Sequence, residues 1–359
     1  MSGLYIHIPF CVSKCFYCNF ISFKTPLSLQ KKYIKELCAE IKNKKNLIKP
    51  TTLYIGGGTP SILTPHLLKE LFNTVEKCFG PIKNFKESTF EANVESLSSA
   101  KIKLLKQYGF TRLSLGLQSP NNKYLKLIGR AHTWEHFLKI YILAKKDFDN
   151  INIDLIANLP TQTLKDFLNG VKRVISLKPK HISLYALEIE EGCVLYQKGY
   201  TVDDDLCLQM LKKAATMLEK SGFKQYEISN FAKKGARSLH NINYWQNGSY
   251  LGVGVAAASY IKGVRSTNIA DLKTYLTQKN KTAFSEKLTG KAKEGEKIIL
   301  ALRMLDGFKP TKKMLQLFKK DFNILKKQDL LVSKGNKLAL SNKGKYLANQ
   351  VARHFVEPF

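Results

Sequence analysis

Short β-branched and aromatic runs alternate with stretches of helical spacing through the first half of the chain, and this alternation restricts the fold more than any other feature. The runs occupy 4–8, 53–55, 89–91, 113–115, 151–155 and 181–185. Each has strand length, and each gap holds an amphipathic segment long enough for a helix, the pattern of β-α-β units in a parallel sheet. Helix punctuation agrees. Thr64-Pro65 reads as an N-cap followed by proline at the first helical position, with Leu67, Leu68, Leu71, Phe72 and Val75 at helical spacing behind it. Gly109 follows a helix expected over 98–108, where a left-handed cap residue belongs.

The remainder is less regular. Residues 191–290 predict a helix over 206–221 and then loops and strands around 225–260. The tail predicts helices over 297–305 and 312–322, two short strands turning at Gly335-Asn336, and a final helix. That order is the order of a winged helix, read here as a packing module rather than a DNA reader. The expected division is therefore 1–190, 191–290 and 291–359.

With 44% hydrophobic residues in 359, the chain has enough apolar surface for a large core, which excludes a disordered protein. Lys and Arg number 58 against 28 Asp and Glu, giving +30. The excess is uneven: 23 basic against 11 acidic residues over 1–160, 13 against 9 over 161–261, and 22 against 8 over 262–359. Lysine-rich stretches such as Lys42-Asn43-Lys44-Lys45 and Lys319-Lys320 lack the interleaved aromatics of a stacking groove, so they are read as solvated faces and no nucleic-acid partner is expected. The longest weakly polar run, 250–261, falls short of the about 20 residues a spanning helix needs. The N-terminus carries no basic leader, so a cytoplasmic location is expected.

Seven cysteines, an odd number, argue against a disulfide framework, and three of them crowd into Cys11, Cys15 and Cys18 directly after the first strand. Three thiolates on one loop suit three irons of a [4Fe-4S] cube, leaving the fourth iron without a protein ligand. A structural zinc site is the alternative, but it needs a fourth ligand, and none stands at suitable spacing. Gly56-Gly57-Gly58-Thr59-Pro60 follows the second strand and allows a sharp turn with bare backbone facing a ligand. No Gly-Lys-Ser/Thr follows, which excludes a Walker-type loop. Glu91 ends the third strand, Gln118 ends the fourth, and Asp154 lies on the fifth. In a parallel β/α barrel the C-terminal strand ends face one cavity, so these groups are expected to converge there with the two loops. Arg130 offers a planar fork for a ligand carboxylate.

The cysteine loop, the glycine loop and about six β/α units resemble the radical S-adenosylmethionine (SAM) superfamily. More narrowly, His7-Ile8-Pro9-Phe10-Cys11, Gly56 to Ser61, Gly116-Leu117-Gln118-Ser119, Leu127 to Arg130 and Ile153-Asp154-Leu155 are similar to the oxygen-independent coproporphyrinogen III oxidase group. The true decarboxylating oxidase carries a fourth cysteine two positions beyond the third and a longer N-terminal arm. Here Phe20 stands at that position and only ten residues precede Cys11, which resembles the heme-chaperone branch instead. His240-Asn241-Ile242-Asn243-Tyr244-Trp245 matches the His-Asn-x-x-Tyr-Trp pattern of that branch.

The resemblance implies an α/β fold, a partial (β/α)6 barrel followed by an α+β accessory region and the winged tail. It implies a [4Fe-4S] cluster on Cys11, Cys15 and Cys18, and SAM on the open iron, whose reductive cleavage can yield a 5′-deoxyadenosyl radical. By position it carries SAM contacts to Tyr5, Tyr17, Gly57, Gly58, Thr59, Glu91, Gln118, Arg130 and Asp154, and heme contacts to His240, Tyr244 and Trp245. Two departures stand out: Asn158 where the family has glycine, and Ala258 where many chaperone relatives have histidine. The function expected is a heme chaperone that passes heme to a membrane cytochrome apoprotein, with flavodoxin or ferredoxin as electron donor and the basic tail touching the inner membrane face. Coproporphyrinogen III decarboxylation and radical-SAM modification of tRNA are the alternatives.

Overall fold

The structure, a computed structural model, describes residues 1–356. All six expected strands are present and longer than their apolar runs: β1 Ser2–Ile8, β2 Thr52–Gly57, β3 Glu87–Ala92, β4 Arg112–Gln118, β5 Asn150–Ala157 and β6 His181–Ala186. They pair in parallel in chain order, with Leu4 opposite Leu53 and Leu113 opposite Ile151. A helix returns each strand to the next, as parallel neighbours require. Thr64 caps the helix Pro65–Phe79 by accepting from Leu67 N, and Ser98 does the same for Ser99–Tyr108, which ends at Gly109 in the left-handed conformation with φ +84°.

The sheet does not stop at six strands. Lys224–Gln225 (β7) and Asn230–Ala232 (β8) extend it antiparallel beyond β6. On the other edge Ser249–Val253 (β9) adds to β1 in parallel, and Ala258–Ile261 (β10), Val264–Asn268 (β11) and Thr282–Glu286 (β12) continue antiparallel. One 12-stranded sheet results, in the order β12-β11-β10-β9-β1-β2-β3-β4-β5-β6-β8-β7. The irregular middle of the sequence thus supplies both edges of the sheet.

Side chains alternate along the strands. Leu4, Ile6 and Ile8 of β1, Leu113, Leu115 and Leu117 of β4 and Ile151, Ile153 and Leu155 of β5 are buried in the main apolar core with the helices. Each such side chain contributes about 1.5–3 kcal/mol. The opposite positions carry polar side chains, among them Thr52, Tyr54, Glu87, Glu91, Arg112, Asn152, Asp154 and His181. Polar residues set among apolar neighbours in the sequence are therefore the interior lining of the barrel.

The tail has its own apolar cluster, including Ile298, Leu302, Phe318, Phe322, Leu325 and Phe355. Its first helix starts earlier than the apolar spacing predicts, at Gly290–Leu302. The helix expected over 312–322 is two, Lys312–Leu317 and Lys319–Lys327, separated by Phe318 at φ −118°, ψ 25°. The break accompanies the packing of Phe318 and Phe322 on Phe355, at ring-centroid distances of 5.3 and 5.4 Å. A hairpin of Leu331–Lys334 (β13) and Lys337–Leu340 (β14) and a short helix, Ala348–Arg353, complete it.

Candidate functional site

The C-terminal ends of the barrel strands open into a cavity of about 1110 Å3. Cys11, Cys15 and Cys18 all line it. Their loop is held by backbone bonds from Cys11 N to Phe23 O (3.1 Å), Phe23 N to Pro9 O (2.7 Å) and Phe16 N to Ile128 O (3.0 Å). Burial pushes the Cys11 and Cys18 thiols up, a shift that a bound cation would oppose. Among the described residues no three His, Cys, Asp or Glu side chains converge on a single-ion position. In an iron–sulfur cube each thiolate takes a different iron, so three thiols that line one cavity have the arrangement such a cube requires.

The glycine loop presses on the cysteine loop. Gly57 has φ +117°, and a Cβ there would lie 2.8 Å from the His7 ring. A Cβ on Gly58 would lie 2.8 Å from Phe10 O and 3.0 Å from Cys11 Sγ. The backbone approach excludes any side chain. Thr59 Oγ1 sits 3.5 Å from Cys11 Sγ and accepts from Asn93 Nδ2 at 2.9 Å.

Arg130 ties three elements together. It donates to Cys15 Sγ (3.4 Å), Asn93 Oδ1 (2.8 Å) and Gly116 O (2.9 Å), while its buried Nε has no partner. Burial opposes its charge, but the Tyr17, Cys15 and Glu95 groups around it outweigh that and hold its pKa above the usual value. Glu91 accepts from Tyr54 Oη (2.5 Å) and Gly57 N (3.2 Å). Burial, reinforced by the nearby charge of Asp154, lifts its carboxyl to about 7 against the pull of those two donors. Asp154, also raised by burial, accepts from Asn152 Nδ2 at 2.8 Å. Gln118 ends β4 at φ +70°, beside a register irregularity in the β4–β5 pairing that turns it into the cavity.

The radical SAM superfamily model matches residues 5–174. The heme chaperone HemW of Bacillus subtilis is 33% identical over 99% of this chain and 99% of its own, and that of Buchnera aphidicola (strain APS) 37% identical over 75% of each. The chain belongs to the HemW family of radical SAM proteins. In fold it matches coproporphyrinogen III oxidase (HemN) of Escherichia coli, with a TM-score of 0.86 at 24% identity over 99% of this chain and 89% of that one.

Against the HemW pattern, Tyr17, Gly57, Gly58, Thr59, Glu91, Gln118, Arg130 and Asp154 all line the cavity with the three cysteines. Tyr5 does not. It lies deeper, its hydroxyl 2.9 Å from His7 Nδ1 and its ring 6.1 Å from Tyr54, and burial raises its pKa. His240, Tyr244 and Trp245 also stand apart from the cavity. They lie on the helix Leu239–Trp245 at the N-terminal end of the barrel, where Glu87 accepts from His240 N at 3.0 Å. The His240 ring is buried and both nitrogens are engaged, Nδ1 with Thr52 Oγ1 (2.8 Å) and Nε2 with Tyr244 Oη (2.8 Å). Burial pushes its pKa down to about 3. Asn158 has φ +64°, a left-handed conformation that glycine adopts freely and asparagine tolerates, which accounts for that departure from the family. Ala258 opens β10, its carbonyl pressed against the spot where a Gly252 Cβ would stand (2.0 Å).

Sequence reasoning missed several lining residues. Asn93 follows Glu91 by two positions, so strand alternation alone could have placed it on the same side. Arg303, Lys345, Leu347 and Arg353 come from the tail and also line the cavity, a placement no local pattern announces.

Proposed function

We propose that the chain is a heme chaperone: it binds heme and transfers it to a cytochrome apoprotein, using a [4Fe-4S] cluster on Cys11, Cys15 and Cys18 and SAM in the adjoining cavity. The full-length likeness to HemW chaperones carries this proposal. The cluster, when bound, supplies one-electron reduction at its open iron. This chain's own residues do the rest. Gly57 and Gly58 leave room beside the thiols, Arg130 braces Cys15 and strand β4, and Glu91 and Asp154 place carboxyl groups toward the ligand.

The likeness to HemN concerns the fold. Phe20, where that enzyme group has a fourth cysteine, is 72% exposed and offers no ligand. The proposed electron donor is a flavodoxin or ferredoxin, and the proposed acceptor a membrane cytochrome apoprotein reached from the cytoplasmic side, with the basic tail touching anionic lipid. No helix among the described residues is long and apolar enough to cross a membrane. His240, Tyr244 and Trp245 are the proposed heme motif of the family, and for His240 to ligate iron either Tyr244 has to release Nε2 or Thr52 has to release Nδ1. Anaerobic reconstitution followed by heme titration, with and without SAM, tests the function. A saturable Soret shift is expected, and vinyl-group formation from coproporphyrinogen III at steady turnover would replace the proposal with the oxidase.

A further inference from the structure

The cavity is larger than its cysteine end requires. A pocket enclosing one drug-sized ligand measures about 300–1,000 Å3, and this one reaches about 1110 Å3 because the tail closes its side. The tail wall is chemically unlike the cysteine wall. It brings three cations, Arg303, Lys345 and Arg353, together with Leu347, and these share the cavity with Phe231 of β8 and Leu211. Lys345 Nζ donates to the neutral amide oxygen of Gln225 at 2.8 Å, and Arg353 is exposed at the rim. Arg303 lies 3.6 Å from the buried Glu227, and its guanidinium stacks on Trp245 at 4.2 Å, with its buried Nε unpartnered. An apolar wall edged by cations suits a flat apolar ligand that carries carboxylates.

We infer that the tail wall of the cavity is the binding site for the carboxylate arms of the bound tetrapyrrole, read by Arg303, Lys345 and Arg353, with Trp245 as the positioning residue of Arg303. The inference rests on the proposal above that the chain binds heme, and it places the bound tetrapyrrole in the cavity rather than at His240. It also gives the family motif a role that its burial permits. Trp245 acts through the guanidinium it stacks on, although His240 sits at the other end of the barrel.

The test is a Soret titration of the full-length, anaerobically reconstituted protein with heme and with heme dimethyl ester, whose arms carry no charge. The unmodified protein should bind heme about tenfold more tightly than the ester. Lys345→Gln and Arg353→Gln should each weaken heme binding by up to about tenfold and leave ester binding unchanged. Trp245→Leu should lower heme affinity and leave ester affinity as it was. Arg353 lies on the surface, so its variant does not depend on refolding a core. Equal affinity for heme and ester, or parental heme affinity in both cation variants, overturns the inference while heme binding itself stands; a heme held at His240 would give that second result. No saturable binding of either ligand by the unmodified protein overturns the heme-binding proposal and this site with it.

Discussion

The two ends of the same six strands carry similar residues and use them differently. At the C-terminal ends, Glu91, Gln118 and Asp154, joined by Arg130 from the loop after the helix Asn122–Leu127, line an open cavity beside three thiols. At the N-terminal ends, Thr52, Glu87, Arg112 and His181 are the first residues of their strands and face one another and the helix Leu239–Trp245. There Glu87 accepts from Ser238 Oγ (3.3 Å), Leu239 N (2.9 Å) and His240 N (3.0 Å), and the His181 ring bonds Asn152 Oδ1 (2.6 Å) and Tyr226 Oη (3.0 Å). Position along the strand therefore decides whether a buried polar group waits for a ligand or locks the barrel closed, as in complete β/α barrels.

Substitutions should separate the two ends. Cys15→Ala should abolish the cluster, read as complete loss of bound iron and of the iron–sulfur absorption, while changing chemical denaturation of the apoprotein little, because the cysteine loop is only partly buried. Glu87→Ala should do the reverse. It strands three donors and removes the carboxylate that offsets the burial of Arg112, so about 3–5 kcal/mol of stability should be lost. Equal destabilisation by the two variants would erase the distinction between the ends.

The ends should also respond oppositely to pH. Glu91 ionises near 4.5 when unfolded and near 7 when folded. Between those values the folded chain holds a proton that the unfolded chain has released, so stability falls as pH rises through that window, by at most about 3 kcal/mol. His240 titrates near 6.5 unfolded and about 3 folded, so there the unfolded chain binds the extra proton and stability falls as pH drops below 6.5. Denaturation curves across pH should show Glu91→Gln flattening the limb between pH 5 and 7, and His240→Gln removing about one proton from the slope below pH 6. A Glu91→Gln protein with the parental slope would show that this carboxyl is not held protonated.

Much of the cavity was legible in the chain because its residues sit at equivalent points of a repeating unit. Glu91, Gln118 and Asp154 declare themselves by their places on strands three, four and five, and the cysteine and glycine loops by spacing. The heme motif was legible as a pattern but not as a place. Nothing local says that His240 faces Thr52, 188 residues away, rather than the cavity. The tail was least legible. Lys345 and Arg353 look like the other lysines and arginines of a basic tail, and only the fold, which lays that segment over the open side of the barrel, distinguishes them.

The smallest effect expected is at Asn158, the one site at the C-terminal end of β5 where the chain abandons its family's glycine. Two terms oppose each other there. Glycine would relieve the left-handed backbone at φ +64°, and it would forfeit the bond from Asn158 Nδ2 to Asp203 O at 2.9 Å that ties the strand end to the cap of the helix Asp204–Lys220. It would also raise the entropy of the unfolded chain. Asn158→Gly should therefore change stability by less than about 1 kcal/mol, whereas Asn158→Ala loses the bond and keeps the strain, costing about 2 kcal/mol. Thermal unfolding of the pair checks this. If alanine proved as harmless as glycine, backbone conformation would not be what selects the residue, and the contact with Asp203 would have to be weighed as dispensable too.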